Sequence, residues 1–108
     1  MRTKAEIVFG GHLNYAGVAT NTANAITITF ANDIIKAYSD GFAVKIKMDA
    51  TTDGNATFNI NGIGAKKVYK GSDQTDQVDD EMIEDHIYTL TYNSSLDTAS
   101  GGFVVGEL

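Results

Sequence analysis

The sequence predicts an all-β protein, a small antiparallel β-sandwich of jelly-roll-like type with six to eight short strands and at most one short helix. Three observations carry this. Short runs alternate apolar and polar residues with a period of two. Gly, Asn and Asp turn signals separate the runs at the spacing of a sandwich or small barrel. Proline is absent while glycine numbers 11, so turns are made by glycine and by Asx chemistry. At 108 residues the chain is a single domain with one modest core.

In chain order, Ala5 to Phe9 reads as an edge strand, and Gly10 to Asn24, rich in Gly, Asn, Ala and Thr, as an extended arm or crossing loop. Residues 1–18 are therefore expected to form an N-terminal arm or edge strand, and residues 19–108 the sandwich. In AITITF, residues 25–30, Ile26, Ile28 and Phe30 share one face and Ala25, Thr27 and Thr29 the other. Asn32 to Tyr38 has the pattern of one or two helical turns, capped by Asn32 or Asp33, with Ile34, Ile35 and Tyr38 turned to the core. Ser39-Asp40-Gly41 then turns into FAVKIKM, residues 42–48, where Phe42, Val44, Ile46 and Met48 oppose Ala43, Lys45 and Lys47. Such alternation buries one face and wets the other. Asp53-Gly54 is the strongest hairpin signal, because both residues tolerate the positive φ of a tight primed turn. It predicts that the 42–48 strand pairs with ATFNI, residues 56–60, whose Ala56, Phe58 and Ile60 face inward. KKVYK (66–70), IYTLTY (87–92) and FVVGEL (103–108) complete the set. IYTLTY, with Tyr88, Leu90 and Tyr92 opposite Ile87, Thr89 and Thr91, reads as a strand covered on both faces.

Charge narrows the choice of partners. Eight Lys and Arg stand against 14 Asp and Glu, a net charge of −6, so the field of the whole chain repels phosphate backbones and anionic lipid. Neither nucleic acid nor a membrane is an expected partner. No window approaches the run of about 18 apolar residues that a spanning helix needs, and the apolar run in MRTKAEIVFGG is too short for a signal peptide. There are no cysteines, so neither a disulfide nor a thiolate metal site supplements the strand faces.

No residue cluster looks built for catalysis. His12 and His86 lie in unrelated contexts and supply neither a Ser-His-Asp nor a Cys-His arrangement. The chain is expected not to be an enzyme and to use no cofactor. The acidic stretch DQTDQVDDEMIEDH, Asp73 to His86, holds enough carboxylates for Ca²⁺, which takes about six to eight oxygen ligands. Asp79, Asp80 and Glu84 are its candidate ligands, although the stretch lacks the glycine and terminal bidentate Glu of an EF-hand loop, which favours a solvated loop or short helix. DATTDGNATFNI fails as a calcium loop because its last position is Ile60. GIGAKK lacks the spacing of a phosphate-binding loop, and its glycines read as a turn. Among the tyrosines, Tyr69 in KKVYKG and Tyr15 in the arm are the ones expected to be exposed. They are the candidates for stacking on a sugar ring, against the commoner use of tyrosine in cores and interfaces.

The order TANAITITF, YSDGFAVKIKM, DGNATFNINGIGAKKVYKG, IYTLTY and FVVGEL resembles a module found repeatedly in bacteriophage tail fibre and baseplate-associated proteins. In that module a TANAYTLT-like strand is followed by Y-x-D-G, an alternating strand ending in Lys, and an A-T-L-N-I-N-G-L-G-A-K-x-I segment. Residues 19–108 follow this plan, and NINGIGAK, Asn59 to Lys66, is the most diagnostic part. The resemblance implies a β-sandwich similar to the shoulder domains of phage receptor-binding proteins. It further implies a virion structural protein of a tail fibre, baseplate or decoration layer, made in the bacterial host cytoplasm and residing on the phage tail or particle surface. Its implied partners are other virion proteins and copies of itself, with a trimer favoured. A host cell-wall saccharide is the alternative ligand. Residues 1–18 lie outside the resemblance, and Gly10, Gly11, Leu13 and Tyr15 within them are the candidate assembly residues, in an arm that would attach the module to a particle or a neighbour. The threonine-rich strand faces would offer a surface for packing against another copy, or simply reflect the suitability of threonine for exposed strand positions.

Overall fold

The computed structural model describes residues 15–29 and 37–108. Its strands are β1 (Tyr15–Thr22), β2 (Ala25–Ile28), β3 (Ala43–Met48), β4 (Thr57–Ile60), β5 (Lys66–Lys70), β6 (Ile87–Asn93) and β7 (Gly102–Val105). They form a closed barrel in the order β1-β2-β4-β5-β7-β6-β3, in which β3 returns to pair with β1. The expected strand at Ala5 to Phe9, the inward Phe30, the helical turn before Ala37, and Gly10, Gly11, His12 and Leu13 lie outside the described residues.

The all-β expectation is met, but the sheet closes on itself instead of splitting into a sandwich, and it is not purely antiparallel. The pairs β1/β3, β2/β4 and β5/β7 are parallel. Alternation dictates which face of a strand is buried, and a sandwich and a barrel satisfy that demand equally. What separates them is which strands are neighbours, and a period of two carries no such information.

Two expectations about β1 and the turns are corrected by the pairing. Tyr15 to Asn24 is no arm: β1 and β2 form a hairpin with Thr22 opposite Ala25, turned by Ala23 (φ 51°) and Asn24 (φ 70°). Two consecutive positive φ values are the primed turn whose twist matches the strands. Strand β1 spans Tyr15–Thr22, so a boundary after residue 18 would cut a strand. The run escapes a period-two reading because β1 has a bulge between Tyr15 and Gly17, where Gly17 takes φ 108°, and because its inward residues are the small Ala16 and Ala19.

Asp53-Gly54, conversely, is not a hairpin turn. Strand β3 pairs with β1 and β6, whereas β4 pairs with β2 and β5, so residues 49–56 cross between separate parts of the barrel. Asp53 instead clamps the first hairpin: its Oδ1 accepts from Asn24 Nδ2 at 2.8 Å, and its backbone N–H donates to Asn24 Oδ1 at 2.9 Å.

Inside, the faces fall as the alternation requires. Ile26, Ile28, Val44, Ile46, Met48, Ala56, Phe58, Ile60, Tyr88, Leu90 and Tyr92 are all buried, joined by Val68, Phe103 and Val105. Phe58 and Phe103 meet edge to face with ring centroids 5.0 Å apart, and Phe103 also meets Tyr38 and Tyr92. Truncating the fully buried Phe58 to Ala is expected to cost about 3–5 kcal/mol. Val78 and Met82, apolar islands in the acidic stretch, are fully buried. Beside them lies buried Thr52, whose hydroxyl donates to the Asp79 carbonyl and accepts from the Met82 N–H.

Tyr38 ties the diagnostic NINGIG segment to the barrel. Its hydroxyl donates to the Gly64 carbonyl at 2.7 Å and accepts the Ile60 N–H at 3.0 Å, and burial pushes its ionisation above the ordinary tyrosine value. Asn61 and Gly62, with φ 55° and 72°, make this segment a turn between β4 and β5, as expected of its glycines. A separate helical turn of four residues lies at Leu96–Ala99 between β6 and β7, with Asp97 and Thr98 in left-handed conformation. Finally, β6 is not covered on both faces, since Ile87 is 51% exposed.

Candidate functional site

The outer wall of β1, β3 and β6 is assembled by strand register. Val18 lies beside Lys47 and Lys47 beside Ile87, so these form one row across the wall. The neighbouring row is Tyr15, Lys45 and Thr89. Among the described residues the exposed large apolar side chains are Tyr15 (44%), Val18 (59%), Ile83 (39%) and Ile87 (51%). Three of these stand in the two rows, and Ile83 lies four residues ahead of Ile87 on the approach to β6. The register brings Tyr15, Val18 and Ile87 to one wall, with Lys47 standing between Val18 and Ile87.

The wall carries charges of both signs. Lys45 and Lys47 are half-buried. The lysines of β5 are engaged elsewhere: Lys66 donates to the Ser100 carbonyl, Lys67 pairs with Asp97, and Lys70 with Glu81. Lys45 and Lys47 have no carboxylate partner among the described residues. At the other end, Glu84 and Asp85 are exposed where the chain enters β6. That end is pinned to β3 by the Asp85 N–H, which donates to the Met48 carbonyl at 2.8 Å, and by the Met48 N–H, which donates to the His86 carbonyl at 3.0 Å. The Lys45 row holds a carboxylate too, since Glu107 accepts the Thr89 N–H at 2.9 Å and the Thr89 hydroxyl at 3.1 Å.

A second feature lies further along the barrel exterior. An open depression of about 430 Å³ is lined by Asp40, Gly41, Gln74, Thr91, Tyr92, Asn93 and Val104. Asp40 is fixed there by the Ser94 N–H (2.6 Å) and the Ser94 hydroxyl (3.0 Å), which together hold its carboxyl below the usual aspartate value. The Asn93 side-chain amide donates to Gln74 Oε1 at 3.4 Å.

The residues expected to be functional from the sequence are dispersed. Tyr15 is exposed and belongs to the wall. Tyr69, expected to be exposed, is only 7% accessible, because its ring lies over Gly102 on β7 and its backbone bridges to Gln77. It has no free face for a sugar. Asp79, Asp80 and Glu84 do not gather as ligands, and among the described residues no group of three or more His, Asp or Glu side chains is placed to hold a metal ion. The cause is local. The Asp79 N–H donates to Glu81 Oε1, Glu81 is drawn to Lys70, and the Glu84 N–H is taken by the Thr51 hydroxyl, while Val78 and Met82 bury between them. Gly10, Gly11 and Leu13 lie outside the described residues.

Sequence reasoning missed Val18, Lys45, Lys47 and Ile87 as a group. A signal existed in Ile87, an apolar residue on the otherwise threonine face of IYTLTY. In comparisons with known proteins, the chain matches no family model and no curated sequence.

Proposed function

We propose that the chain is a structural module of a bacteriophage particle, a tail fibre, baseplate or decoration component that acts by self-association and attachment. The observation that carries self-association is the clustering of Tyr15, Val18 and Ile87 on one wall of a closed barrel. A closed ladder has no open edge to pair with another sheet, so this module meets its neighbours through side-chain faces. The particle context comes from the resemblance of residues 19–108 to tail-fibre modules. Light scattering coupled to size exclusion tests the reading, on the full chain and on one beginning at Tyr15. Assembly of both supports association through the barrel, and assembly of the full chain alone transfers the role to residues 1–14. A monomer in both cases at high concentration removes self-association from the proposal.

The alternative, binding of a host-surface saccharide, is favoured by the depression at Asp40, Gln74 and Asn93, whose carboxylate and amides suit hydroxyl groups. A glycan array with the wild type and Gln74→Ala tests it. Binding that Gln74→Ala weakens supports the depression as the site, and binding unaffected by that change places the sugar elsewhere.

A further inference from the structure

We infer that Asn61-Gly62 is a site of spontaneous backbone modification, deamidation through a succinimide, and that the fold holds the reaction back by the turn it imposes there. Among the asparagines of the chain, Asn61 alone precedes a glycine. Glycine has no side chain to shield its own nitrogen, so Gly62 offers the least hindered nucleophile to a neighbouring side-chain amide. Gly62 is exposed, and nothing stands within 4 Å of the place a Cβ would take, so no neighbour bars rotation of that peptide.

The reaction needs no partner beyond water. The Gly62 nitrogen bonds to Asn61 Cγ, the Cγ–Nδ2 bond breaks, and Nδ2 leaves as ammonia with the proton that the Gly62 nitrogen gives up. Water then opens the succinimide ring. Cleavage of the new bond at Cγ leaves aspartate in the original chain. Cleavage at the Asn61 main-chain carbonyl leaves isoaspartate, in which the chain runs through Cγ and is longer by a methylene.

What opposes ring closure is the turn. Asn61 and Gly62 have φ 55° and 72°, and the Ile63 N–H donates to the Ile60 carbonyl at 2.9 Å, which together define a type I′ turn. The first central residue of such a turn has ψ near +30°, about the mirror image of type I. That value points the Gly62 nitrogen away from the Asn61 side chain. Closure requires the nitrogen to swing round until it eclipses Cβ, and the swing breaks the turn. Neighbouring bonds resist it. The Asn61 N–H donates to the Ile28 carbonyl at 3.0 Å and the Gly64 N–H to Asn59 Oδ1 at 3.1 Å. Tyr38 holds both flanks, its hydroxyl accepting the Ile60 N–H and donating to the Gly64 carbonyl. Deamidation therefore proceeds from the locally opened turn, and its rate measures how often that turn opens.

The two products differ in consequence. Aspartate keeps the turn, since Asp-Gly suits it as Asn-Gly does, and adds one negative charge. Isoaspartate lengthens a turn whose register sets Thr57 opposite Lys67 and Phe58 opposite Lys66, and so loosens the β4–β5 seam.

The experiment follows Asn61 by peptide mapping and mass spectrometry while the full chain is incubated at mildly alkaline pH, folded and in urea. In urea, Asn61 should convert ahead of every other asparagine. In the folded chain its conversion should be slower by at least about tenfold. Folded Tyr38→Phe, checked by circular dichroism, should convert faster than the wild type, having lost the two bonds of the hydroxyl. Asn59→Ala, which removes only the Gly64 restraint, gives the same reading should Tyr38→Phe unfold. Asn61→Asp should melt with the wild type, and the isoaspartate fraction, separated by chromatography, below it. Equal rates in the folded chain and in urea, or rates unchanged in the folded variants, overturn the turn as the brake. Earlier conversion of another asparagine in urea overturns Asn61 as the site. An isoaspartate fraction that melts with the wild type overturns the loosened seam.

Discussion

At the scale of single residues, Gly101 is constrained on two counts. Its φ is 92°, where side chains other than glycine are strained, and a methyl placed on it would overlap the Tyr92 hydroxyl. Gly101→Ala is therefore expected to destabilise the protein by more than about 1 kcal/mol, read as a lower urea midpoint at unchanged slope. Asp40 gives a pH signature. The Ser94 N–H and hydroxyl hold its carboxyl below the ordinary aspartate value. A depressed folded-state value means that the contribution is complete above the unfolded value and is lost as pH falls through the folded one. The stability gap between wild type and Asp40→Asn should be widest near neutrality and close in acid, below the usual carboxylate range. A gap of constant size across that range would show that the Asp40 charge is not what stabilises the turn.

At the scale of elements, the β1–β2 hairpin depends on Asn24 for its conformation and for its clamp on Asp53. Asn24→Gly keeps the left-handed turn and loses the clamp. Asn24→Ala loses both and should cost about 1–2 kcal/mol more, the penalty of placing alanine in that region. Thermal melts of the two variants separate these contributions, and equal losses would mean that the turn conformation carries little. The sequence made most elements legible through their faces: FAVKIKM and ATFNI bury the residues that alternation assigns them. It hid β1, where a bulge and small inward residues blur the period, and it misplaced Asp53-Gly54, because the same dipeptide that suits a hairpin also suits a side-chain clamp. The wall was hidden for a further reason. Val18, Lys47 and Ile87 are distant in the chain and meet only once the register of three strands is known.

At the scale of the whole molecule, β1 and β7 run in the same direction. Strand β7 is antiparallel to β6, β6 is antiparallel to β3, and β3 is parallel to β1. Strand β1 therefore begins, at Tyr15, at one end of the barrel and β7 ends, at Val105, at the other. A tension applied at Tyr15 and Val105 pulls along the strand axes, across ladder hydrogen bonds that lie transverse to the pull. Those bonds must yield together, whereas a pull at right angles would open them singly. Single-molecule stretching from residues 15 and 105 should accordingly meet a higher rupture force than stretching from Tyr15 and Ala43, the neighbouring starts of the parallel strands β1 and β3, attached in separate cysteine variants. Equal forces would mean that the ladder is not what resists. With its first described strand starting at one end and its last finishing at the other, the barrel is expected to be stiff along the line joining residues 15 and 105.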